Sequence, residues 1–356
     1  MSEATDLFVT RSTLMRDVIA RIDRNQSGIA LVVDDASRLI GTVTDGDIRR
    51  ALLAGLQLDA AIAQDLLDSK SPEAPRSPTT ALVGTSPAEL LELMTRHALR
   101  QIPLVDEAGH VVGLELLSNL VQEYRPPVRA VVMAGGYGTR LRPLTEHQPK
   151  PMLPVGDRPL LELIVDRLQR AGIRRVYLAT HYKADMIEQH FGDGQRFGID
   201  ITYINENEPL GTAGALSLVQ PSDEPLLVMN GDILSDVNLE TMLDFHRSHS
   251  AALTVAVRPY EFQVPYGVLR TEGVEVKSVD EKPVLRHLVN AGIYLVSAKV
   301  CSLVPAGEPF DMTDLIDRAI AEGLRVISFP LREHWLDIGR TEDYARAVSQ
   351  FGQDPR

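Results

Sequence analysis

The stretch VVMAGGYGTRLRPLTEHQPKPMLPVG, Val131–Gly156, decides how the rest of the sequence is interpreted. It opens with a short apolar run, which is typical of a buried parallel strand. Three glycines follow at once, at Gly135, Gly136 and Gly138. Because glycine lets backbone amides approach an oxyanion closely, the stretch predicts a strand that ends in a phosphate-holding loop.

Basic residues in the same stretch support this interpretation. Arg140 and Arg142 follow the glycines, and a guanidinium group offers a planar fork that suits phosphate oxygens. Lys150 stands between two prolines, which hold its backbone stiffly. The loop lacks the Gly-Lys-Ser/Thr ending of a Walker A loop, and its glycine spacing differs from the dinucleotide fingerprint. A plain surface turn is the alternative, but glycines, arginines and Pro-Lys-Pro in this order argue against it.

Composition limits the classes of protein to consider. The chain has 356 residues, 44% of them hydrophobic, which fits two domains or three small ones with packed cores. Its formal net charge of −13 argues against nucleic acid as a partner, although a local basic cluster can still bind phosphorylated small molecules. Cys301 is the only cysteine, so an intramolecular disulfide is excluded. The N-terminus lacks a secretory signal and no apolar run reaches about 18 residues, so we expect a cytoplasmic protein that spans no membrane.

Strands and helices alternate after Pro127. The predicted strands are Val128–Met133, Val176–Thr180, Ile201–Ile204 and Pro225–Met229. Helices are predicted around the apolar face Leu160, Leu161, Ile164 and Leu168, and from about Ala213 to Val219. This alternation predicts an open α/β sheet with helices on both faces, which binds ligands at the carboxyl ends of its strands.

The region before Pro126 contains an internal repeat. The segment Gly28–Ile48 aligns with Arg100–Leu120, and the pairs include Val33 with Val105 and Gly41 with Gly113. Each copy predicts a strand, an acidic turn, a second strand and a helix. A helical segment precedes each copy, with apolar faces at Leu14, Val18 and Ile22 and at Leu90, Leu91 and Met94.

This repeat resembles a tandem pair of CBS domains. The first copy ends in GTVTDGD, and the resemblance implies that Thr44 and Asp47 contact the ribose and phosphates of an adenine nucleotide effector. The second copy has Leu116 and Asn119 at the matching positions, and a leucine cannot donate a hydrogen bond. We therefore expect one nucleotide site at most. The alternative is a module that only dimerises or packs against its neighbour.

The boundaries follow from these assignments. Pro126 and Pro127 favour an extended linker. We predict a CBS module over residues 1–124 with repeats at about 7–62 and 66–123, a linker over 125–128, and a second domain over 129–356. Because CBS modules commonly pair, we expect a homodimer or a higher homo-oligomer.

The second domain is similar to the sugar-1-phosphate nucleotidylyltransferases. The opening stretch matches their signature, and further matches follow in order at Leu210–Leu216, Asn230–Asp232, Glu281–Pro283, Asn290–Tyr294 and Trp335–Tyr344. The resemblance implies a Rossmann-like open mixed sheet preceded by an α+β CBS pair. It also implies the transfer of a nucleotidyl group from a nucleoside triphosphate to a sugar-1-phosphate, with Mg²⁺ as cofactor and pyrophosphate as the second product.

The resemblance also implies roles for individual residues. Asp232 and Asp337 would bind Mg²⁺, which prefers oxygen ligands. Arg140 would neutralise the leaving pyrophosphate, and Lys150 would align the reacting phosphates. The nucleotide-binding residues would be Ala134, Gly135, Gly136, Gly138, Thr139, Gly211 and Thr212, and the sugar-phosphate-binding residues would be Glu281, Lys282 and Asn290. The simpler alternatives are a helix capped by Thr212 and an exposed ion pair between Glu281 and Lys282.

The sequence indicates the type of reaction more firmly than it indicates the base of the nucleotide or the identity of the sugar. The loop GYGTRLRPLT resembles guanylyltransferases that make GDP-mannose, and the domain layout resembles enzymes that make GDP-glucosamine-type sugars. Both resemblances favour GTP with a mannose- or glucosamine-type sugar phosphate. UTP or dTTP with glucose-1-phosphate, CTP with another phosphate, and a non-catalytic nucleotide-sensing protein stay open as alternatives.

Overall fold

The computed structural model describes residues 4–25, 27–70, 77–120 and 126–351. The chain divides into two compact units, Met1–Arg125 and Pro126–Arg356. Residue 123, where the second repeat is predicted to end, and residue 125, where the predicted linker begins, lie outside the described residues. None of the helices in the described ranges is long and apolar enough to cross a lipid bilayer.

The first sheet of the N-terminal unit has three strands, Phe8–Val9 (β1), Ile29–Val33 (β2) and Leu39–Thr44 (β3), which lie in this order across the sheet. The helices around them are Met15–Asn25 (α1), Asp45–Leu53 (α2) and Ala63–Asp68 (α3). Val18 and Ile22, one helical turn apart on α1, are both buried against this sheet. The predicted apolar face of this helix is therefore confirmed, although Leu14 precedes the helix.

A second sheet repeats the first. Its strands are Ala81–Leu82 (β4), Gln101–Val105 (β5) and Val111–Leu116 (β6), with the helices Pro87–His97 (α4) and Leu117–Leu120 (α5). In each turn the first aspartate accepts hydrogen bonds from two backbone amides, Asp34 from Ala36 and Arg38, and Asp106 from Ala108 and His110. The predicted repeat is confirmed. On α4, however, Leu91 is exposed, so only Leu90 and Met94 form the buried face.

The main sheet of the C-terminal unit has seven strands. They are Arg129–Met133 (β7), Arg175–Thr180 (β10), Asp200–Asn205 (β11), Leu226–Asn230 (β12), Leu253–Gln263 (β14), Val284–Val296 (β17) and Val326–Pro330 (β18). Their order across the sheet is β11-β10-β7-β12-β17-β14-β18. β17 runs antiparallel to both neighbours, and the remaining pairs are parallel. The predicted open mixed sheet is confirmed, and each of its four predicted strands is correct to within one residue at either end.

Helices cover both faces of this sheet. They are Leu160–Arg170 (α6), Ala184–Phe191 (α7), Gly211–Gly214 (α8), Leu239–Ser248 (α9), Ala298–Cys301 (α10), Met312–Ala321 (α11) and Thr341–Phe351 (α12). Three pairs of short strands complete the unit, Pro154–Val155 (β8) with Arg158–Pro159 (β9), Ile233–Ser235 (β13) with Trp335–Asp337 (β19), and Val268–Glu272 (β15) with Glu275–Asp280 (β16). The apolar side of α6 packs in one core and that of α11 in the other.

The predicted helix from Ala213 to Val219 is wrong in length. The structure has a single α-helical turn, α8, followed by a 3₁₀ turn over Ala215–Leu218. The amides of Ala213 and Gly214 both donate to the Phe310 carbonyl, at 2.9 and 3.0 Å. The first turn of this helix therefore bonds to a distant segment of the chain.

Candidate active site

The glycine-rich loop leaves the carboxyl end of β7 and lies against the neighbouring strand β10. Ala134 donates its amide hydrogen to the Ala179 carbonyl at 2.8 Å, which continues the strand pairing into the loop. A Cβ atom at Gly135 would lie 3.3 Å from the Cβ of His181, so a side chain there would crowd the segment after β10. The predicted position of the loop, at the ligand-binding edge of the sheet, agrees with the structure.

Gly138 turns the loop back onto the residues that follow it. Its φ is +63°, and a Cβ atom there would lie 2.9 Å from Thr145 and 3.2 Å from Lys150. The Thr145 hydroxyl, which is buried, donates to the Gly138 carbonyl at 2.8 Å. Glycine at this position therefore brings the loop backbone next to Lys150.

Lys150 and Asp232 form the closest ion pair of the site. The Lys150 Nζ donates to the Asp232 Oδ2 at 2.6 Å, and the lysine side chain is only 13% exposed. Asp232 follows the carboxyl end of β12, which pairs with β7. The parallel pairing of these strands thus brings the two predicted residues together from distant parts of the chain.

Asp337 is held next to Asp232 by a short antiparallel pair of strands. Its strand β19 pairs with β13, where Asp337 lies opposite Ile233, and Ile338 donates its amide hydrogen to the Asp232 carbonyl at 3.0 Å. Partial burial and the negative charge of Asp232 raise the pKa of Asp337, while Lys150 and Arg140 oppose this shift. The Asp337 carboxyl group therefore interacts electrostatically with Asp232, the other predicted metal ligand, and with the predicted catalytic residues Lys150 and Arg140. Arg140 itself is exposed.

The two aspartates suit a hard divalent cation. Mg²⁺ is commonly held by one or two carboxylates, with water and phosphate oxygens as its other ligands. A cation between Asp232 and Asp337 would offset the repulsion that contributes to the raised pKa of Asp337. Within the described ranges, no group of three or more His, Cys, Asp or Glu side chains forms a complete protein cage. Asp232 and Asp337 would supply two of the oxygen ligands of such a cation.

The turn at Gly211 and Thr212 is fixed by a residue that sequence reasoning missed. The Asp311 Oδ1 accepts hydrogen bonds from the Thr212 amide at 2.9 Å and from its hydroxyl at 3.1 Å. Met312 in turn donates its amide hydrogen to the Thr212 hydroxyl at 2.9 Å. Asp311 directly precedes α11, in the segment FDMTDLI over residues 310–316, and nothing local in that segment indicates that it contacts Thr212.

The conformation of Gly211 follows from the same contact. Its φ is +77°, and a Cβ atom there would lie 2.7 Å from the Asp311 Oδ1 and 2.8 Å from the Phe310 carbonyl oxygen. The alternative in which Thr212 caps the helix is wrong, because the N-cap residue is Leu210 and the Thr212 hydroxyl faces α11 instead. The turn is therefore shaped by the segment that leads into α11.

The predicted sugar-side residues lie on an exposed ribbon. Glu281 and Lys282 connect β16 to β17 and are exposed, and Lys282 has a φ of +45°. Asn290, on β17, accepts a hydrogen bond from the Gly292 amide at 3.0 Å. Across the described part of the chain, no hydrogen bond or ion pair joins Glu281 to Lys282, or either to the loop or the aspartates. The alternative of an exposed Glu281–Lys282 ion pair is therefore not observed.

An aromatic cluster beside the loop was also missed. The Tyr137 hydroxyl lies 2.9 Å from the His181 Nε2, and the ring of Tyr137 packs edge-on against that of His181. The His181 Nδ1 lies 2.7 Å from the Glu206 carbonyl oxygen, so Nδ1 is protonated and donates. These contacts link the loop to the ends of β10 and β11. The sequence gives no local signal for them.

Comparison with known proteins supports the same assignment. Residues 129–354, more than half of the chain, match the family model described as nucleotidyl transferase. The chain belongs to the nucleotidyl transferase family. Residues 4–54 and 74–114 match the CBS domain, so the N-terminal unit is the predicted CBS pair.

Individual relatives act on different bases. The chain is 34% identical over 238 residues to mannose-1-phosphate guanyltransferase beta-A of Xenopus laevis, covering 64% of this chain and 66% of the relative. It is 32% identical over 242 residues to UTP–glucose-1-phosphate uridylyltransferase of Synechocystis, covering 62% of each. The chain thus spans slightly less than two thirds of the length of these relatives. HddC of Yersinia pseudotuberculosis, solved with GMP-PN, superposes with a TM-score of 0.50 at 27% identity, over 63% of this chain and 99% of that one.

In the first CBS domain, Thr44 and Asp47 bond to each other. Thr44 is the N-cap of α2, and both its amide and its hydroxyl donate to the Asp47 Oδ2, at 2.9 and 2.8 Å. Burial alone would raise the pKa of Asp47, but the charges of Lys70 and Arg50 and the Thr44 hydrogen bonds outweigh it and lower the pKa. The predicted nucleotide-binding pair therefore also caps a helix.

Proposed function

We propose that the chain transfers a nucleotidyl group from a nucleoside triphosphate to a sugar-1-phosphate and releases pyrophosphate. The observation that carries this proposal is the Lys150–Asp232 pair at 2.6 Å, beside the glycine-rich loop and Asp337. These groups converge where β7 and β12 end, the edge at which open α/β sheets bind their ligands. The family membership of the chain supports the same reaction class.

The chemistry requires alignment and charge neutralisation. A phosphate oxygen of the sugar-1-phosphate attacks the α-phosphorus of the triphosphate and forms a new P–O bond. The bond from the α-phosphorus to the oxygen that bridges to the β-phosphorus breaks, and pyrophosphate leaves with that electron pair. Because both reactants are anions, positioning and preorganised positive charge supply most of the catalysis.

The residues of the loop and its neighbours take complementary parts. Amides from Ala134 to Thr139 hold the phosphates of the nucleotide, and Arg140 neutralises the departing pyrophosphate. Lys150 exchanges its contact with Asp232 for phosphate oxygens and keeps the reacting groups in line. Mg²⁺ bound by Asp232 and Asp337 would add positive charge beside the phosphates.

The remaining residues shape the sugar side. Gly211 and Thr212 face both the nucleotide and the sugar, and Thr212 acts through its backbone shape, because its amide and hydroxyl hydrogens are both donated to Asp311. Glu281, Lys282 and Asn290 bind the sugar phosphate from the exposed ribbon.

GTP is the favoured nucleotide, with a mannose- or glucosamine-type sugar phosphate. A guanyltransferase relative and the neighbour solved with GMP-PN support guanine. The uridylyltransferase relative supports the alternative, a uridylyl- or thymidylyltransferase that acts on glucose-1-phosphate. A non-catalytic nucleotide sensor is the third possibility, and the intact Lys150–Asp232 pair argues against it.

A pyrophosphate-release panel with Mg²⁺ separates these functions. It crosses GTP, UTP, dTTP, CTP and ATP with mannose-, glucose-, glucosamine- and N-acetylglucosamine-1-phosphate. We expect release with GTP and a mannose- or glucosamine-type phosphate. Release only with UTP or dTTP would select the alternative, and no release with any pair would refute catalysis. Arg140→Ala should lower turnover about 100-fold at unchanged stability, because removing one preorganised charge costs about that factor and the side chain is exposed.

We further propose that an adenine nucleotide binds the first CBS domain at Thr44 and Asp47 and regulates the transferase, which would act as a homo-oligomer. A ribose hydroxyl would replace the Thr44 hydroxyl on the Asp47 carboxylate. Titration of AMP into the full chain, with Thr44→Val as the control variant, tests this regulation. If AMP neither binds to the wild-type protein nor changes its turnover, regulation by an adenine nucleotide is refuted and the CBS module serves only in assembly.

A further inference from the structure

A cavity of about 470 Å³ opens at the edge of the main sheet opposite to the glycine-rich loop. Arg129, Arg175 and Asp200, which are the first residues of β7, β10 and β11, line it. The other polar groups in its wall belong to Tyr177, Thr202, Gln220 and Ser222. Since the glycine-rich loop and Asp232 follow the carboxyl ends of their strands, this cavity is separate from the proposed active site.

Arg129 contributes a buried charge to this cavity. Its side chain is 7% exposed, and its Nη1 donates to the Gln220 carbonyl at 2.7 Å and to the Tyr177 hydroxyl at 3.4 Å. Its Nε has no hydrogen-bond partner among the described residues. A buried donor of this kind is costly to leave unmatched, so an acceptor placed in the cavity would be stabilised.

Glu224 shows where such an acceptor can lie. Its Oε2 forms an ion pair with the Arg175 guanidinium and lies 3.8 Å from the Arg129 Nε, too far for a hydrogen bond. The same carboxylate oxygen therefore stands between the two arginines. Because the Arg175 and Glu224 side chains are 52% and 30% exposed, their ion pair is weak and easily displaced.

We propose that this cavity is a second ligand site, which binds a phosphorylated polar metabolite of the hexose phosphate class. The phosphate displaces the Glu224 carboxylate and lies between the guanidinium groups of Arg129 and Arg175, whose planar forks suit phosphate oxygens. The hydroxyl groups of Thr202 and Ser222 and the carboxylate of Asp200 then face the sugar hydroxyls. The volume is within the range of small-molecule sites.

Calorimetric titration of glucose-6-phosphate into the full chain tests this site. The Arg140→Ala background weakens anion binding at the proposed active site, and glucose serves as the uncharged control ligand. Arg175→Gln should weaken binding at least tenfold, because it removes a charge-assisted contact from an exposed position. Glu224→Gln should tighten binding about threefold, because it removes the competing charge.

Because Glu224 occupies the proposed phosphate position, the two variants should change affinity in opposite directions. Equal affinities in the wild type, Arg175→Gln and Glu224→Gln would overturn the proposal, because the phosphate would then bind elsewhere. Absence of binding up to about 10 mM, above the range of a weak millimolar site, would also overturn it. The test does not depend on whether the chain transfers nucleotides.

Discussion

The end of β12 touches the end of β7 at Gly231 so closely that no side chain fits. A Cβ atom at Gly231 would lie 2.5 Å from the Met133 carbonyl oxygen and 3.3 Å from the Ala134 Cα. Ordinary van der Waals contact begins near 3.4 Å. Because the obstructing atom is backbone, Gly231→Ala must separate the two strand ends by the difference between 3.4 and 2.5 Å, about 0.9 Å.

This separation would move the two halves of the proposed active site apart. Ala134 begins the glycine-rich loop, and Asp232 directly follows Gly231. A displacement of about 1 Å can reduce an enzymatic rate about 100-fold, and overpacking of this kind destabilises a fold by about 1–3 kcal/mol. We therefore expect Gly231→Ala to lose about 100-fold in kcat while the protein stays folded.

Pyrophosphate release measures the rate, and urea unfolding measures the stability. Gly113→Ala is the matched control, because its Cβ would lie 3.7 Å from the Leu104 side chain, which is ordinary contact. The control should keep wild-type turnover and remain within about 0.5 kcal/mol of wild-type stability. Wild-type kcat in Gly231→Ala would refute the claim that this backbone contact aligns the loop with Asp232.

Two further predictions concern single contacts. Asp311→Ala should lower kcat about tenfold and destabilise the fold by about 1–3 kcal/mol, because the Thr212 amide loses its acceptor. Asp311→Asn retains an acceptor and should recover most of the rate, so equal losses in both variants would contradict this role. Burial and the charge of Arg247 lower the pKa of His246 in the folded protein from 6.5 to about 4. Between these two pH values the unfolded chain binds a proton at His246 that the folded protein does not bind. The free energy of unfolding should therefore be unaffected by His246 above pH 6.5 and should fall by up to about 3 kcal/mol as the pH drops towards 4. His246→Asn keeps a partner for the Thr254 hydroxyl and cannot titrate, so an unchanged pH dependence of the unfolding free energy would contradict this assignment.

The sequence predicted four of the seven strands of the main sheet, β7, β10, β11 and β12, but not β14, β17 and β18. Strand β7 could be predicted because both of its faces are buried. Ala130 and Val132 face one core and Val131 the other, so the strand is an unbroken apolar run that local pattern detects. The contacts of the turn after Gly211 could not be predicted in this way. The Ala213 and Gly214 amides donate to Phe310, about 100 residues away, and no local pattern indicates such a partner.

The contacts of the proposed active site also fall into those that the sequence predicted and those that it did not. The loop, Lys150 and Asp232 could be predicted because their residue types occur in recognisable order, and parallel strand pairing then brings them together. The contact of Asp311 with Thr212 and the packing of Tyr137 on His181 depend on the relative positions of separate loops. In the first CBS domain, the sequence indicated Thr44 and Asp47 as ligand contacts but not their mutual capping bonds.

The most direct test of the proposed reaction compares wild type and Asp232→Asn in Mg²⁺-dependent pyrophosphate release from GTP and mannose-1-phosphate, or from another pair that proves productive. Asparagine keeps the size of the side chain and an acceptor for Lys150, but it lacks the negative charge that a cation requires. We predict a loss of at least about 100-fold in kcat with an unchanged circular dichroism spectrum and urea midpoint. Wild-type turnover in Asp232→Asn would contradict the proposal that Asp232 and Lys150 form the catalytic centre of this chain.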